Sequence, residues 1–207
     1  MDDQLIEAVT SHVEIHLGAV SVLHELILEE PHIDILIAEP QPKRQFYTLV
    51  TCGMSEVPMG VPLEVAGQVA DHIELMLCLP SDWQLDNLDD ERWEWPVFWL
   101  RFLAKQTHEL NTFLAAGHTI PNGEDCDPFG SNTKMCCWFV RTPAAVGEDF
   151  LQMRDNDRTI AFLAIVPIYR SEMDFALSGD DKPEELDNLL TAAGVTELID
   201  PQRKPVR

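Results

Sequence analysis

The five cysteines of this chain, Cys52, Cys78, Cys126, Cys136 and Cys137, include no CxxC pair and are odd in number. A disulfide framework and a zinc ribbon both need paired, regularly spaced cysteines, so neither is predicted, and a reducing cytoplasm is the compartment this usage fits. No GxGxxG or GxxxxGK[ST] occurs, which removes the glycine-rich loops that cradle nucleotide phosphates. Long apolar runs are missing too. The longest, TIAFLAIVPIY from Thr159 to Tyr169, has about half the length that a bilayer-spanning helix requires, and the opening MDDQLIEAVTSH is acidic where a secretory leader is basic and then apolar. Neither a signal peptide nor a membrane anchor is expected. Positive charge is scarcest of all: 14 Lys and Arg stand against 36 Asp and Glu, a formal net charge of -22. Such a surface repels phosphate backbones and anionic lipid, so neither nucleic acid nor membrane is an expected ligand. It attracts a basic partner at long range, and it serves solubility equally well.

What is present suits a globular domain: 45% apolar and 24% charged residues, with no repeat and no low-complexity segment. Leu5, Ile6, Val9, Val13 and Leu17 recur at helical spacing ahead of Gly18 and predict an amphipathic helix over 2–17. Three short, β-branched, partly alternating segments follow at 20–27, 32–40 and 46–53, and these predict an antiparallel meander. A loop over 54–65 precedes a strand over 72–80. The acidic connection 81–92 then leads to helical spacing over 95–117, with Pro96 in the first turn and Gly117 as the stop. Residues 119–132, rich in Pro, Gly and Asn, are predicted to be turns. Strands over 134–142 and 159–169 follow, the second central, then short helices over 171–177 and 183–194; the basic end DPQRKPVR is expected to be loose. Consecutive strands without crossover helices predict an α+β fold. It would be a largely antiparallel mixed sheet with helices packed on one face and at the ends, one domain over 1–194 with a tail over 195–207.

Several constellations could carry chemistry, and each has a plainer reading beside it. His12 and His16 in HVEIH lie one helical turn apart, as two ligands of one metal can, but Val13 stands where an HExxH site has its glutamate. His24, His32 and Asp34 could be gathered by a hairpin into a site for metal binding or general acid-base work. In the plainer reading His32 and Asp34 face solvent while Ile33, Ile35 and Ile37 face the core. Cys52, at a strand end before Gly53, could be an exposed nucleophile, though no histidine is near in sequence. Cys136 and Cys137 face opposite sides of a strand and read as packing residues. Trp93, Trp95, Phe98, Trp99 and Phe102 could form a ligand platform or, more simply, core. His118, in GHTIPNG, is either a positioned catalytic histidine or one whose ring nitrogens tie down a corner. None reaches the ligand count or spacing of a catalytic signature, so no catalytic residue, metal or cofactor is assigned.

The blocks YTLVTCGMS.VPM (Tyr47 to Met59), IELMLCLPSDW (Ile73 to Trp83), WPVFWLRFLA (Trp95 to Ala104), GHTIPNG with PF..NTK (Gly117 to Lys134) and IVPIYRSEMDFAL (Ile165 to Leu177) run in order over nearly the whole chain. As a set they resemble the Suppressor of fused domain family, specifically its short bacterial members. The resemblance implies a compact α+β domain without enzymatic activity or cofactor. The family's animal namesake is a cytoplasmic regulator that holds a zinc-finger transcription factor through a short peptide bound as an added strand; bacterial relatives include proposed immunity proteins against polymorphic toxins. The animal peptide lies between two lobes, and only the first-lobe pattern occurs here, so neither the transcription-factor role nor its contact residues are carried over.

The expected function is thus a non-enzymatic protein-binding module, either an immunity protein neutralising a basic toxin or a cytoplasmic regulatory adaptor. The alternative is a hydrolase or metal-dependent enzyme built on His24, His32, Asp34 and His118. Loops set on a rigid scaffold carry binding disproportionately. That points to Met54, Ser55 and Met59 in one loop, to His118, Thr119, Asn122, Asp125, Asp127, Phe129 and Asn132 in another, and to the acidic connection 86–91. An adaptor could instead bind a peptide along a free strand edge.

Overall fold

The computed structural model of the chain describes residues 3–25 and 31–207. Among these residues the chain forms one mixed sheet of eight strands. Strands β1 (Val20–Leu23), β2 (Asp34–Ala38), β3 (Phe46–Cys52) and β4 (His72–Pro80) form the expected antiparallel meander. Leu26 and Ile27, placed in the first of these strands by the sequence, lie outside the described residues. β8 (Arg158–Ile168) is central, as its apolar run requires. It pairs in parallel with β4 on one side and antiparallel with β6 (Cys137–Arg141) on the other, and its first residues also take a short partner, β7 (Gln152–Asp155). β5 (Thr119–Pro121) forms the far edge against β6.

The α+β class and the largely antiparallel sheet stand as expected, but the helices occupy both faces. On one face α1 (Asp3–Leu17) presents Leu5, Val9, Val13 and Leu17, at strict four-residue spacing, to Leu36, Val50, Met76 and Phe162. On the other, α2 (Glu91–Glu109) packs Trp95, Trp99, Leu100 and Leu103 with Ile35, Leu49, Leu75 and Leu77. α3 (Arg170–Ala176) and α4 (Lys182–Ala192) share the first face further along, covering Cys137, Phe139 and Ile168. The cause is in the strands: β2 is buried at all five positions and β4 at seven of nine. At roughly 1.5–3 kcal/mol for each large apolar side chain, a bare face would forfeit more than the whole net stability of a domain.

The long helix differs in its bounds. α2 begins at Glu91 because the Asp90 carboxylate caps it, accepting from the Arg92 N–H at 3.0 Å. It stops at Glu109, where Asn111 adopts φ 46 and two bonds close the end, Asn111 N–H to the His108 carbonyl at 3.0 Å and Thr112 N–H to the Thr107 carbonyl at 2.9 Å. Pro96 therefore lies in the helix interior. Gly117 is not a helix stop; at φ 93 it turns the chain into β5, a strand hidden in a segment whose Pro, Asn and Gly content reads as turn.

The basic end is not loose. Cys78 N–H donates to the Glu197 carbonyl at 2.8 Å and Ile199 N–H to the Cys78 carbonyl at 2.9 Å, laying 197–199 along β4, and Ile199 is buried. Beyond it the Arg203 guanidinium forks onto both oxygens of the buried Glu172 at 2.8 and 2.6 Å. Among the described residues no helix is long and apolar enough to cross a membrane.

Candidate functional site

At the β1–β2 edge Asp34 is saturated. One oxygen accepts from His24 Nδ1 at 2.9 Å, and the other accepts from the Glu25 N–H at 2.9 Å and lies 3.1 Å from His32 Nε2. Glu25 accepts from the Ile33 N–H at 3.0 Å and pairs with Lys105 Nζ at 2.5 Å, while Arg101 donates to the Leu23 and Ile33 carbonyls, both at 3.0 Å. His32 and Asp34 are buried rather than solvent-facing. The face they share with Leu36 and Ala38 is the one that α1 covers, so alternation does not carry them to water. Only the His24 side chain is largely exposed, at 72%.

This network meets the demands of its own buried charges. Glu25 has its cation, Asp34 its donors, and no hydroxyl or thiol of a described residue is hydrogen-bonded to His24. Among the described residues no three His, Cys, Asp or Glu side chains are arranged to hold a metal ion. His118 sits beside the opposite edge. Between β2 and β5 lie β3, β4, β8 and β6, each adding ~4.8 Å, so the site of His24, His32, Asp34 and His118 anticipated from sequence is not assembled; only its first three members meet.

The 54–59 segment turns inward at Met54, Ser55 and Met59 and leaves Val57 and Pro58 exposed. Met54, Ser55 and Met59 are buried, which corrects their expected place on a binding loop. Gly53 makes the inward turn at φ 119, where a Cβ would lie 2.3 Å from the His32 carbonyl oxygen. The buried Glu74 then gathers the turn: Oε1 accepts from Gly53 N–H at 3.2 Å, Ser55 N–H at 3.0 Å and Ser55 Oγ at 2.6 Å, and Oε2 from Thr51 Oγ1 at 2.6 Å. Desolvation pushes its carboxyl above the usual range against the pull of these donors. Cys52 is also buried, and burial followed by the charge of Glu74 pushes its thiol up, so it is not an exposed nucleophile. His12 bonds the Phe150 carbonyl at 3.0 Å and stacks on Phe162 at 5.0 Å; its placement beside His16 is packing, and burial lowers its pKa.

β5 is an end strand of the sheet. His118 O accepts from Val140 N–H and Asn122 N–H donates to the Cys136 carbonyl. By the two-residue alternation of a strand, the backbone groups of Thr119 and Pro121 therefore point away from β6. A cleft lies on each side of this edge. One, of about 400 Å³, is lined by Gly117, His118, Phe139, Arg141, Asp180 and Glu184; the other, of about 430 Å³, by Leu103, Phe113, Leu114, His118, Ile120 and Leu177. The His118 ring packs edge-on against Phe113 at 5.0 Å, and burial, opposed by a hydrogen bond to the Phe113 backbone, lowers its pKa. Asp180 and Glu184 are exposed. Arg141 is already engaged by Asp187 at 2.9 Å.

Of the other residues expected on this loop, Thr119 and Asn122 are half-buried, while Asp125 and Asp127 are exposed. Asn122 donates to the Asp127 carbonyl at 2.8 Å and shapes the loop. Phe129 is buried and stacks on Trp95 at 5.5 Å, and Asn132 is bonded to α2. Trp95 and Trp99 are core; Phe98 is half exposed.

The model for the Suppressor of fused protein (SUFU) family matches residues 29–204. Among solved structures, a SUFU homolog from Neisseria gonorrhoeae FA 1090 superposes with a TM-score of 0.69 at 19% identity, covering 99% of this chain and 98% of that one. A chain from a Sufu-Fu complex gives 0.65 at 16% identity, covering 98% and 92%. Drosophila Suppressor of Fused gives 0.63 at 14% identity, covering 97% of this chain and 50% of that one. At these identities the likeness is one of fold. No curated protein matches.

Proposed function

Because this chain belongs to the Suppressor of fused family, we propose that it is a non-catalytic protein-binding module, whose partner is a basic protein that seats an extended segment on the β5 edge. The observation that carries this reading is the cleft on each side of that edge. Successive side chains of an added strand point to opposite faces, so a segment paired with the outward backbone of Thr119 and Pro121 would deliver alternate residues to the two clefts. The apolar cleft suits an aliphatic or aromatic side chain. The other, edged by Asp180 and Glu184, suits Lys or Arg, and the net charge of -22 would steer such a partner from a distance. The relative solved as a Sufu-Fu complex is, by that description, bound to another protein.

A toxin-neutralising immunity protein is the form of this function that best uses the charge, with a regulatory adaptor as its milder version. The five unbridged cysteines suit a reducing cytoplasm. The test begins with affinity purification of the tagged chain from its host and, in parallel, co-expression with any basic toxin encoded beside it. The recovered partner is then titrated against wild type, Thr119→Pro and an Asp180→Asn/Glu184→Gln double variant. Binding abolished by the proline and weakened by both salt and charge removal supports the reading. An affinity unmoved by all three sets it aside.

A further inference from the structure

Cys126 and Cys136 bring their sulfurs to 2.7 Å, and Cys126 Sγ also lies 3.2 Å from the Cys136 carbonyl oxygen. Two thiols in ordinary contact keep their sulfurs roughly 3.6 Å apart, the separation set by van der Waals radii, whereas a disulfide holds them at about 2.05 Å. The observed pair has crossed most of that interval. Cys126 reaches this place in an uncommon way. Among the described residues three non-glycines have positive φ; two are asparagines, which tolerate the left-handed region, and the third is Cys126 at φ 55. Cys137, next in the chain, points to the other side of the strand and has no sulfur partner.

We propose that Cys126 and Cys136 are a reversible oxidation site, closing a disulfide that staples the loop after β5 to the start of β6. The oxidant is a low-molecular-weight disulfide. The Cys126 thiolate attacks one of its sulfurs and expels a first small thiolate. The Cys136 thiolate, after losing its own proton to solvent, attacks Cys126 Sγ and expels the second. Two protein thiols are oxidised and one small disulfide is reduced to two thiols. The bond spans ten residues of sequence, which is why spacing alone gave no sign of it. It fits a reducing compartment as a conditional bond rather than a permanent one.

The local chemistry makes the exchange slow in both directions. Burial, together with the neighbouring Cys126 sulfur, pushes the Cys136 thiol up to about 12, so little thiolate is present at neutral pH. Glu124, Asp125 and Asp127 flank Cys126 and repel anionic thiols, and both cysteines are buried. Once made, the bond is shielded from the same reductants.

The test uses the purified full chain, equilibrated with either oxidised glutathione or excess dithiothreitol, quenched with N-ethylmaleimide and digested with trypsin. Cleavage after Lys105, Lys134 and Arg141 separates Cys126, in peptide 106–134, from Cys136 and Cys137, in 135–141. The expected result is a linked pair of these two peptides, present only after oxidation, retained in Cys137→Ser and absent in Cys136→Ser and Cys126→Ser. A covalent loop of this size should also raise the Tm of oxidised over reduced wild type by roughly 5 °C. The wild-type digest stands whether or not the variants fold. Full alkylation of Cys126 and Cys136 after prolonged exposure to oxidised glutathione overturns the proposal, and so does a crosslink retained in Cys136→Ser.

Discussion

Asn132 supplies to Arg92 the hydrogen bond that Pro96 withholds. In an uninterrupted helix the N–H of residue 96 would donate to the carbonyl of residue 92, and proline has no N–H. Asn132 Nδ2 donates to that carbonyl at 2.9 Å, and its Oδ1 accepts from Trp95 Nε1 at 3.2 Å, so one side chain repairs the helix and fixes the central tryptophan. Asn132→Ala should cost about 1–3 kcal/mol, the desolvation of two unpaired polar groups. Pro96→Ala should recover part of that loss by restoring the helical donor. A double-mutant cycle by urea denaturation checks this, and strictly additive effects would show that the two residues do not share the Arg92 carbonyl.

Glu74 should make stability depend on pH in a direction opposite to most carboxylates. Its folded pKa is raised, first by desolvation. Its contribution is fully present below the unfolded value of about 4.5 and is lost as pH rises through the folded value. Glutamine, which does not titrate, keeps an acceptor for Ser55 and offers its amide to Thr51. The stability of wild type minus that of Glu74→Gln should therefore fall as pH rises from 4.5. A difference that stays flat from pH 4.5 to 8 would show that Glu74 titrates as in the unfolded chain.

Histidines act with the other sign. His12, His108 and His118 are all lowered, chiefly by burial. Below the unfolded value of about 6.5 the unfolded chain takes up protons that the folded chain resists, so these groups erode stability as pH falls from there toward their folded values. His12→Gln keeps a donor for the Phe150 carbonyl and removes one of the three titrations. Its midpoint in urea should therefore change less than that of wild type between pH 7.5 and 5.5; an equal change would rule His12 out as a contributor.

The elements legible from sequence are those whose signal is local. Strand β8 announces itself by the nine consecutive apolar residues from Ile160 to Ile168, and α1 by four buried positions spaced four apart. β5 is silent because Thr119–Pro121 owes its extended form to β6, sixteen or more residues later in the chain, and not to its own propensity. The burial of His32 and Asp34 has a similar origin: alternation predicts one wet and one dry face, although continuous runs such as LMLC in β4 mark a strand buried on both. The meeting of His24 and His32 on Asp34 could be read from the hairpin, whereas Lys105 and Arg101, which balance and bridge that cluster, come from a helix some seventy residues on. The Asn132 contact with Arg92 likewise joins segments 40 residues apart, which no local pattern pairs.

The last thirteen residues belong to the fold in a way that charge and composition hide. Glu172 is fully buried, and besides the Arg203 fork it accepts from the Tyr169 and Val206 N–H groups, both at 2.8 Å. Arg203→Ala would strand a buried carboxylate, with an expected cost of about 3–5 kcal/mol. Arg203→Lys, which keeps the charge but loses the fork, should cost less. Truncation after Gly194 removes more: the Arg203 pair, the apolar burial of Ile199, and Glu197, whose carboxylate accepts from Ala144 and Ala145 N–H at 3.0 and 2.8 Å. The truncated chain should fail to give a cooperative urea transition. A truncated protein unfolding at the wild-type midpoint would return 195–207 to the status of a loose tail, and with it the boundary at 194 that composition suggests.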